Sequence, residues 1–230
     1  MKKYLLSIIL LLTIALSAQT KDPDKIIDEV KKNFEKINDY QVDVKIKVDV
    51  QSLKVPDMIA KIYYKKPDKV TIKSESFALL PKEGMDLSPL SFFKNKYTAI
   101  YVKDEQIDGL NTSIIKVIPI ENTDDVMLST MWIDQKNDVI RKVETTTKGN
   151  GTIGIHMKYD NTQNKNLPSS VVFSFNVDGL NMPKKMGNND PDDETTKRMG
   201  KSTTGKVYIT YTNYIVNKGV DDSVFEKKEK

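Results

Sequence analysis

"YQVDVKIKVDV", residues 40–50, decides the fold. Tyr40, Val42, Val44, Ile46, Val48 and Val50 take every second position, and Gln41, Asp43, Lys45, Lys47 and Asp49 fill the positions between them. Successive side chains of a strand point to opposite faces, so this stretch is a strand with one apolar and one wetted face. A helix would scatter the same residues around its circumference. The apolar face then needs a cover, and the rest of the chain is read for partners and for that cover.

Partners follow at once. "MIAKIYYKK" (58–66), a "KPD" turn and "KVTIKSES" (69–76) read as a hairpin, with Val70 and Ile72 inward and Lys69, Thr71 and Lys73 outward. "YTAIYVK" and "TSIIKVIPI" flank Asp108-Gly109, "VMLSTMWID" and "VIRKVETTT" flank Gln135 to Asp138, and "TIGIHMKYD" follows Asn150-Gly151. Asp-Gly and Asn-Gly are strong hairpin signals because both turn residues must accept positive φ. "SVVFSFNVDG" and "KVYITYTNYIVN" complete the series. Strand follows strand with no crossover helix, so the pattern predicts an antiparallel meander with one covered face.

One helix is predicted. Asp22 is a good N-cap and Pro23 a good first helical residue. Ile26, Ile27, Val30, Phe34 and Ile37 then fall on one stripe, which predicts about 14 residues of helix ending near Asn38. A lone amphipathic helix has to bury that stripe against the sheet.

The first eighteen residues have the layout of a secretory signal peptide. Lys2 and Lys3 precede an apolar run from Tyr4 to Leu16, and small residues follow at Ala15, Ser17 and Ala18. The run is shorter than the roughly 18 residues that span a bilayer. Export into the periplasm with cleavage near Ala18 is expected, leaving residues 19–230 as one domain. The chain has no cysteine, so neither a disulfide framework nor lipid attachment through cysteine is available, and an ordinary core must supply stability. Residues 179–205 lack periodicity and read as an insertion before the last strand.

Charge and chemistry exclude several classes. The formal charge of +4 includes Lys2 and Lys3, so the remainder is nearer +2, with both signs interspersed along the strands. A nucleic-acid partner would leave a clustered basic footprint. The single histidine, His156, has no second histidine and no cysteine to complete a zinc site, and no nucleophile elbow or glycine-rich phosphate loop occurs. His156 reads as a surface residue. The acidic stretch 188–194 lacks the spacing and central glycine of a calcium loop. Trp132 reads as a core or rim anchor in preference to a ligand-stacking residue. No catalytic residue, cofactor or metal site is expected.

"FALLPKEGMDLSPLSFF" (77–93) stands apart. Its apolar residues Phe77, Leu79, Leu80, Met85, Leu87, Leu90, Phe92 and Phe93 fit neither the strand nor the helix period, and Pro81, Gly84 and Pro89 break it into short pieces. Two readings remain: a plug that finishes the core, or a lid with a short helix after Ser88, closing an apolar cavity. A curled sheet, one helix and an apolar cap make a container whose natural contents are lipid chains.

The order of helix, alternating strand, "IYYKKPDKV", "VIPI", "MWIDQKNDVIRKVE" and the terminal "YIVNKGVDDSVFE" resembles the LolA-like family of periplasmic lipoprotein-sorting proteins. The resemblance implies a mainly β (α+β) fold: a curled antiparallel sheet forming a half-open barrel, with one N-terminal helix and a short helical or loop lid. It implies a carrier that chaperones lipoprotein acyl chains toward the outer membrane, without catalysis or cofactor. The expected cavity lining is Val44, Ile46, Val48, Ile62, Val70 and Ile72. The family's carriers latch the lid with an arginine before the turn proline; the matching residue is Lys66, which lacks the planar donor fork of arginine. The aromatic that the family places three residues after that proline is matched here by Val70. The expected partners of this monomer are lipoprotein acyl chains or another lipid, an inner-membrane release complex and an outer-membrane acceptor. The alternative is an envelope sensor or lipid-responsive regulator of the same fold without carrier activity, and a third reading is a purely structural or adhesive β-protein with a filled interior.

Overall fold

The computed structural model describes residues 21–50, 55–74, 92–93, 95–120, 126–148, 151–160, 166–177 and 203–226. The signal-peptide residues 1–18, lid residues Phe77, Leu79, Leu80, Met85, Leu87 and Leu90, the acidic stretch 188–194 and residues 179–202 of the expected insertion lie outside them. Helix α1 (Pro23–Glu35) precedes ten strands: β1 (Asp39–Val50), β2 (Met58–Lys65), β3 (Lys69–Lys73), β4 (Tyr97–Ile107), β5 (Leu110–Pro119), β6 (Val126–Asp134), β7 (Val139–Thr147), β8 (Thr152–Tyr159), β9 (Pro168–Val177) and β10 (Thr203–Val216). A 3-10 turn, Asp222–Val224, follows.

Each element has a local cause. Asp22 is extended and its carboxylate accepts the N–H of Asp24 at 3.0 Å, which starts α1 at Pro23. The helix stops at Glu35, short of the expected Asn38, because the backbone N–H groups of Asn38 and Asp39 turn to Asn217 Oδ1 at 2.7 and 3.4 Å. Both residues of the Asp108-Gly109 turn have positive φ, 50° and 75°, as a tight hairpin between β4 and β5 requires. Strand β10 begins at Thr203, so the last three residues of the expected insertion are strand.

All ten strands form one antiparallel sheet in the order β3-β2-β1-β10-β9-β8-β7-β6-β5-β4. The simple meander is therefore broken once. Strands β1 to β3 form one meander and β4 to β10 another, and β1 pairs with β10 from Tyr40↔Val216 to Val50↔Gly205. Strands β3 and β4, neighbours in sequence, are the two sheet edges, joined by the segment that carries residues 77–93. That segment has no hairpin chemistry, whereas β1 and β10 are long, alternating and matched in register. The sheet is not closed into a barrel.

One face of the sheet is the core. Ile27 and Val30 of α1 meet Val42, Val44 and Ile46 of β1, Ile115 of β5, Met131 and Ile133 of β6, Ile140 and Val143 of β7, and Ile209 of β10. A bulge tunes this face. Between Gln41 and Asp43 of β1 the pairing skips on β10, where Asn213 takes positive φ (56°) and donates to Asp43 Oδ2 at 3.0 Å. The extra residue resets the alternation, so that Tyr211 and Tyr214 both turn to the apolar side and stack at 6.0 Å.

Candidate functional site

The apolar face curves around α1, and the helix is pinned at several points. Asn33 Nδ2 donates to Asn137 O at 2.8 Å, Lys31 Nζ to the Tyr97 hydroxyl at 2.9 Å, and Asn217 Nδ2 to Lys36 O at 2.8 Å. Lys66 Nζ donates to Glu35 O, the last helical carbonyl, and to Asn38 Oδ1 at 3.4 Å. A cation at that position also favours the negative end of the helix dipole. The Lys66-Pro67 peptide is cis, and the Lys66 backbone N–H donates to Asn38 O at 2.9 Å. Lys66 thus holds the C-terminus of α1.

The β6–β7 turn that receives Asn33 is itself built on a buried ion pair. Asp134 accepts from Arg141 Nε at 3.0 Å and Nη2 at 2.6 Å, from the backbone N–H of Lys136 and Asn137 at 2.8 and 3.1 Å, and from Asn137 Nδ2 at 3.0 Å. Burial alone would raise the Asp134 carboxyl, but these donors outweigh it and hold it below the usual carboxylate range. The Arg141 guanidinium lies 4.9 Å over the Tyr159 ring.

Cover over the face is uneven. One cross-strand row runs Val48–Val207–Phe173–Ile155–Val143–Met131–Ile115 from β1 to β5. Val143, Met131 and Ile115 have no exposure at all, whereas Val48, Val207, Phe173 and Ile155 are half-buried. The next row, Val50–Gly205–Phe175–Ile153, repeats the pattern, with Phe175, Gly205 and Ile153 half-buried. Gly205 leaves room there: a Cβ would stand 2.5 Å from Phe175 Cζ and 2.8 Å from Val50 Cγ2, so those side chains would have to shift. Helix α1 packs toward β4 and β7, so the stretch on β8, β9, β10 and β1 is the part it leaves less covered.

The expected lining divides accordingly. Val44, Ile46 and Ile62 are 2%, 0% and 4% exposed, sealed in the core cluster, while Val48, Val70 and Ile72 are half-buried beside it. Of the expected lid, Phe93 is buried and Phe92 packs against the same cluster; Phe93 meets Tyr97 at 5.7 Å between ring centres. Val207, Phe173 and Ile155 were not singled out from the sequence. Their alternation was legible, but the register that places them opposite Val48 was not.

The opposite face is polar. Lys61 pairs with Asp43 at 3.1 Å and Lys45 with Asp57 at 2.9 Å, and open grooves of about 430 to 730 Å3 cross it among such charges. His156 lies on this side, 3.1 Å from Asp108. Trp132 is buried on this face, its Nε1 donating to Glu105 Oε2 at 2.9 Å and Lys142 Nζ lying 4.3 Å over its ring, so it anchors the sheet's surface. Among the described residues, no three potential ligands cluster as a metal site, and no helix is long and apolar enough to cross a membrane.

No protein-family model and no curated protein sequence matches the chain. Solved structures do. A DUF1329 family protein from Desulfovibrio piger aligns with a TM-score of 0.58 at 12% identity, over 90% of this chain and 98% of that one. A domain described as an outer membrane lipoprotein-sorting protein, from Vibrio parahaemolyticus, aligns at 0.57 and 10% identity, over 89% and 97%. A LolA superfamily protein from Nitrosomonas europaea aligns at 0.53 and 11% identity, over 90% and 98%. Identities this low speak to architecture alone, and the architecture agrees with what the residues implied: this chain has the LolA-like fold, an open curled antiparallel sheet with helix α1 on its apolar face.

Proposed function

We propose that the protein is an exported, non-enzymatic lipid carrier that shields lipoprotein acyl chains on its apolar face and takes part in sorting lipoproteins to the outer membrane. The observation that carries this reading is the pair of half-buried rows on β8, β9, β10 and β1, an apolar surface that α1 leaves partly uncovered. Pockets for lipid chains are largely apolar with few polar fixings, and these rows have that character. The likeness in fold to a lipoprotein-sorting domain supports the same direction.

In this reading Val48, Val70 and Ile72 line the site together with Val207, Phe173 and Ile155. Val44, Ile46 and Ile62 form the floor beneath them. Residues 77–93 supply the cover, since they join the two sheet edges, and Lys66 fixes α1 as the stationary wall. A release complex in the inner membrane and an acceptor in the outer membrane would pass the cargo on.

The test is purification from a native envelope followed by extraction and mass spectrometry, with uptake of a fluorescent fatty acid measured in parallel. Co-purifying lipoprotein or lipid, with uptake lost in Phe173→Asp while the β-sheet circular-dichroism signal persists, is the expected result. Uptake of lipid without transfer of lipoprotein to acceptor membranes would replace the carrier with a lipid-responsive regulator. No lipid and no uptake would refute both.

A further inference from the structure

Among the described tyrosines of the apolar face one hydroxyl stands alone. Tyr159 donates to Ile140 O at 2.9 Å and Tyr214 to Pro168 O at 2.9 Å. Tyr211, 4% exposed and lying between them, has a fully buried hydroxyl with no hydrogen-bond partner. Leaving a buried hydroxyl unpaired is costly, and native structures seldom do so without a reason. Replacing it by hydrogen would cost the fold nothing that the structure displays.

We infer that the Tyr211 hydroxyl is the polar fixing point of the lipid site, donating a hydrogen bond to an ester or amide carbonyl of a bound acyl group. This rests on the carrier reading and specifies its ligand. Tyr211 shares one face of β10 with Ile209, Val207 and Gly205, so the hydroxyl stands at one end of a line whose other end is the half-buried stretch. Four residues of strand separate Tyr211 from Val207, about 13 Å. A chain laid along β10 over Ile209 reaches from one to the other once the covering side chains part.

The surroundings choose the ligand's head. Tyr40, Tyr159 and Tyr214 surround the group, and burial followed by the neighbouring phenols keeps Tyr211 protonated, a donor at any working pH. Arg141, which stacks on Tyr159, gives its Nε and Nη2 donors to Asp134 and so already carries a counter-charge of its own. A free carboxylate would be buried there without a counter-charge, whereas a neutral carbonyl needs only the one donor. The site therefore takes acyl esters or amides in preference to free fatty acids.

The experiment compares Tyr211→Phe with wild type in displacement of a fluorescent fatty-acid probe by monooleoylglycerol and by oleic acid, alongside thermal unfolding without ligand. Expected is a loss of about fivefold to tenfold in monooleoylglycerol affinity, the worth of one hydrogen bond. Oleic acid affinity should stay within about twofold, since the free acid makes no bond to this hydroxyl in the inferred site. The ligand-free midpoint should not fall. Tyr214→Phe, whose hydroxyl is already bonded, should lower the midpoint and leave the ester preference intact. Unchanged ester affinity in Tyr211→Phe overturns the inference while leaving the carrier reading standing, and so does a lowered ligand-free midpoint, which would mean that the hydroxyl is satisfied in the empty protein. A wild type that binds neither ligand overturns both.

Discussion

Replacing Asp134 by alanine should cost more stability than any other single polar change among the described residues. The carboxylate is 1% exposed and accepts five hydrogen bonds, two of them from Arg141, whose side chain is only 11% exposed. Removing it leaves a largely buried guanidinium without its carboxylate, and two turn N–H groups, of Lys136 and Asn137, without this acceptor. Breaking a buried pair from one side typically costs about 3–5 kcal/mol. Against a total of about 5–15 kcal/mol for a domain, that is a large share. The consequence extends to α1, because Asn137, ordered by Asp134, presents the carbonyl that receives Asn33. The assay is urea denaturation followed by circular dichroism at neutral pH, with Asp43→Ala as the control. Asp43 pairs with Lys61 and accepts from Asn213 at the surface, and its loss should cost about 1–2 kcal/mol. A midpoint for Asp134→Ala indistinguishable from that of Asp43→Ala would refute the reasoning. Arg141→Met combined with Asp134→Leu should recover much of the loss, since a buried pair replaced by apolar groups is often neutral.

Three further outcomes follow from particular contacts. The Asp134 carboxyl is depressed in the folded state, so its contribution is present above the unfolded value of 3.8 and is lost as pH falls through the lower folded value; between those two values wild type should lose stability more steeply than Asp134→Asn, read from denaturation midpoints across pH 2 to 6. Gly205→Ala should destabilise by about 1–3 kcal/mol, because its Cβ must displace the Phe175 ring; a midpoint equal to wild type would show that the ring moves freely. Lys66→Met should lower stability by about 0.3–1 kcal/mol through loss of a cation at the helix C-terminus, and Lys66→Arg should retain it, measured by thermal unfolding in low salt.

The alternation in 40–50 forced a strand with one covered face, and the turn chemistry of Asp108-Gly109 and Gln135 to Asp138 separated the hairpins where the structure has them. These are local matters: φ preferences and a period of two are properties of a few adjacent residues. The cap at Asp22 and Pro23 placed α1 for the same reason. What escaped was everything that depends on which distant strand lies beside which. The pairing of β1 with β10 joins residues some 160 apart in the chain, and no local rule prefers it to a β3–β4 neighbour. The bulge at Asn213, which turns Tyr214 inward, becomes visible only once the register is known.

The candidate site divides along the same line. By itself the sequence determined that Val44, Ile46, Val48, Ile62, Val70 and Ile72 face the apolar side, because alternation assigns faces. Tertiary structure decided which of them are sealed and which are half-covered, because exposure depends on where α1 comes to rest. That position is set by Asn33, Lys66 and Asn217, three polar side chains whose bonding carbonyls and amides are brought within reach only by the folded sheet. The unpaired hydroxyl of Tyr211 belongs wholly to the second kind: a tyrosine is read from the sequence as apolar and inward, but whether its oxygen finds a partner is a fact of packing.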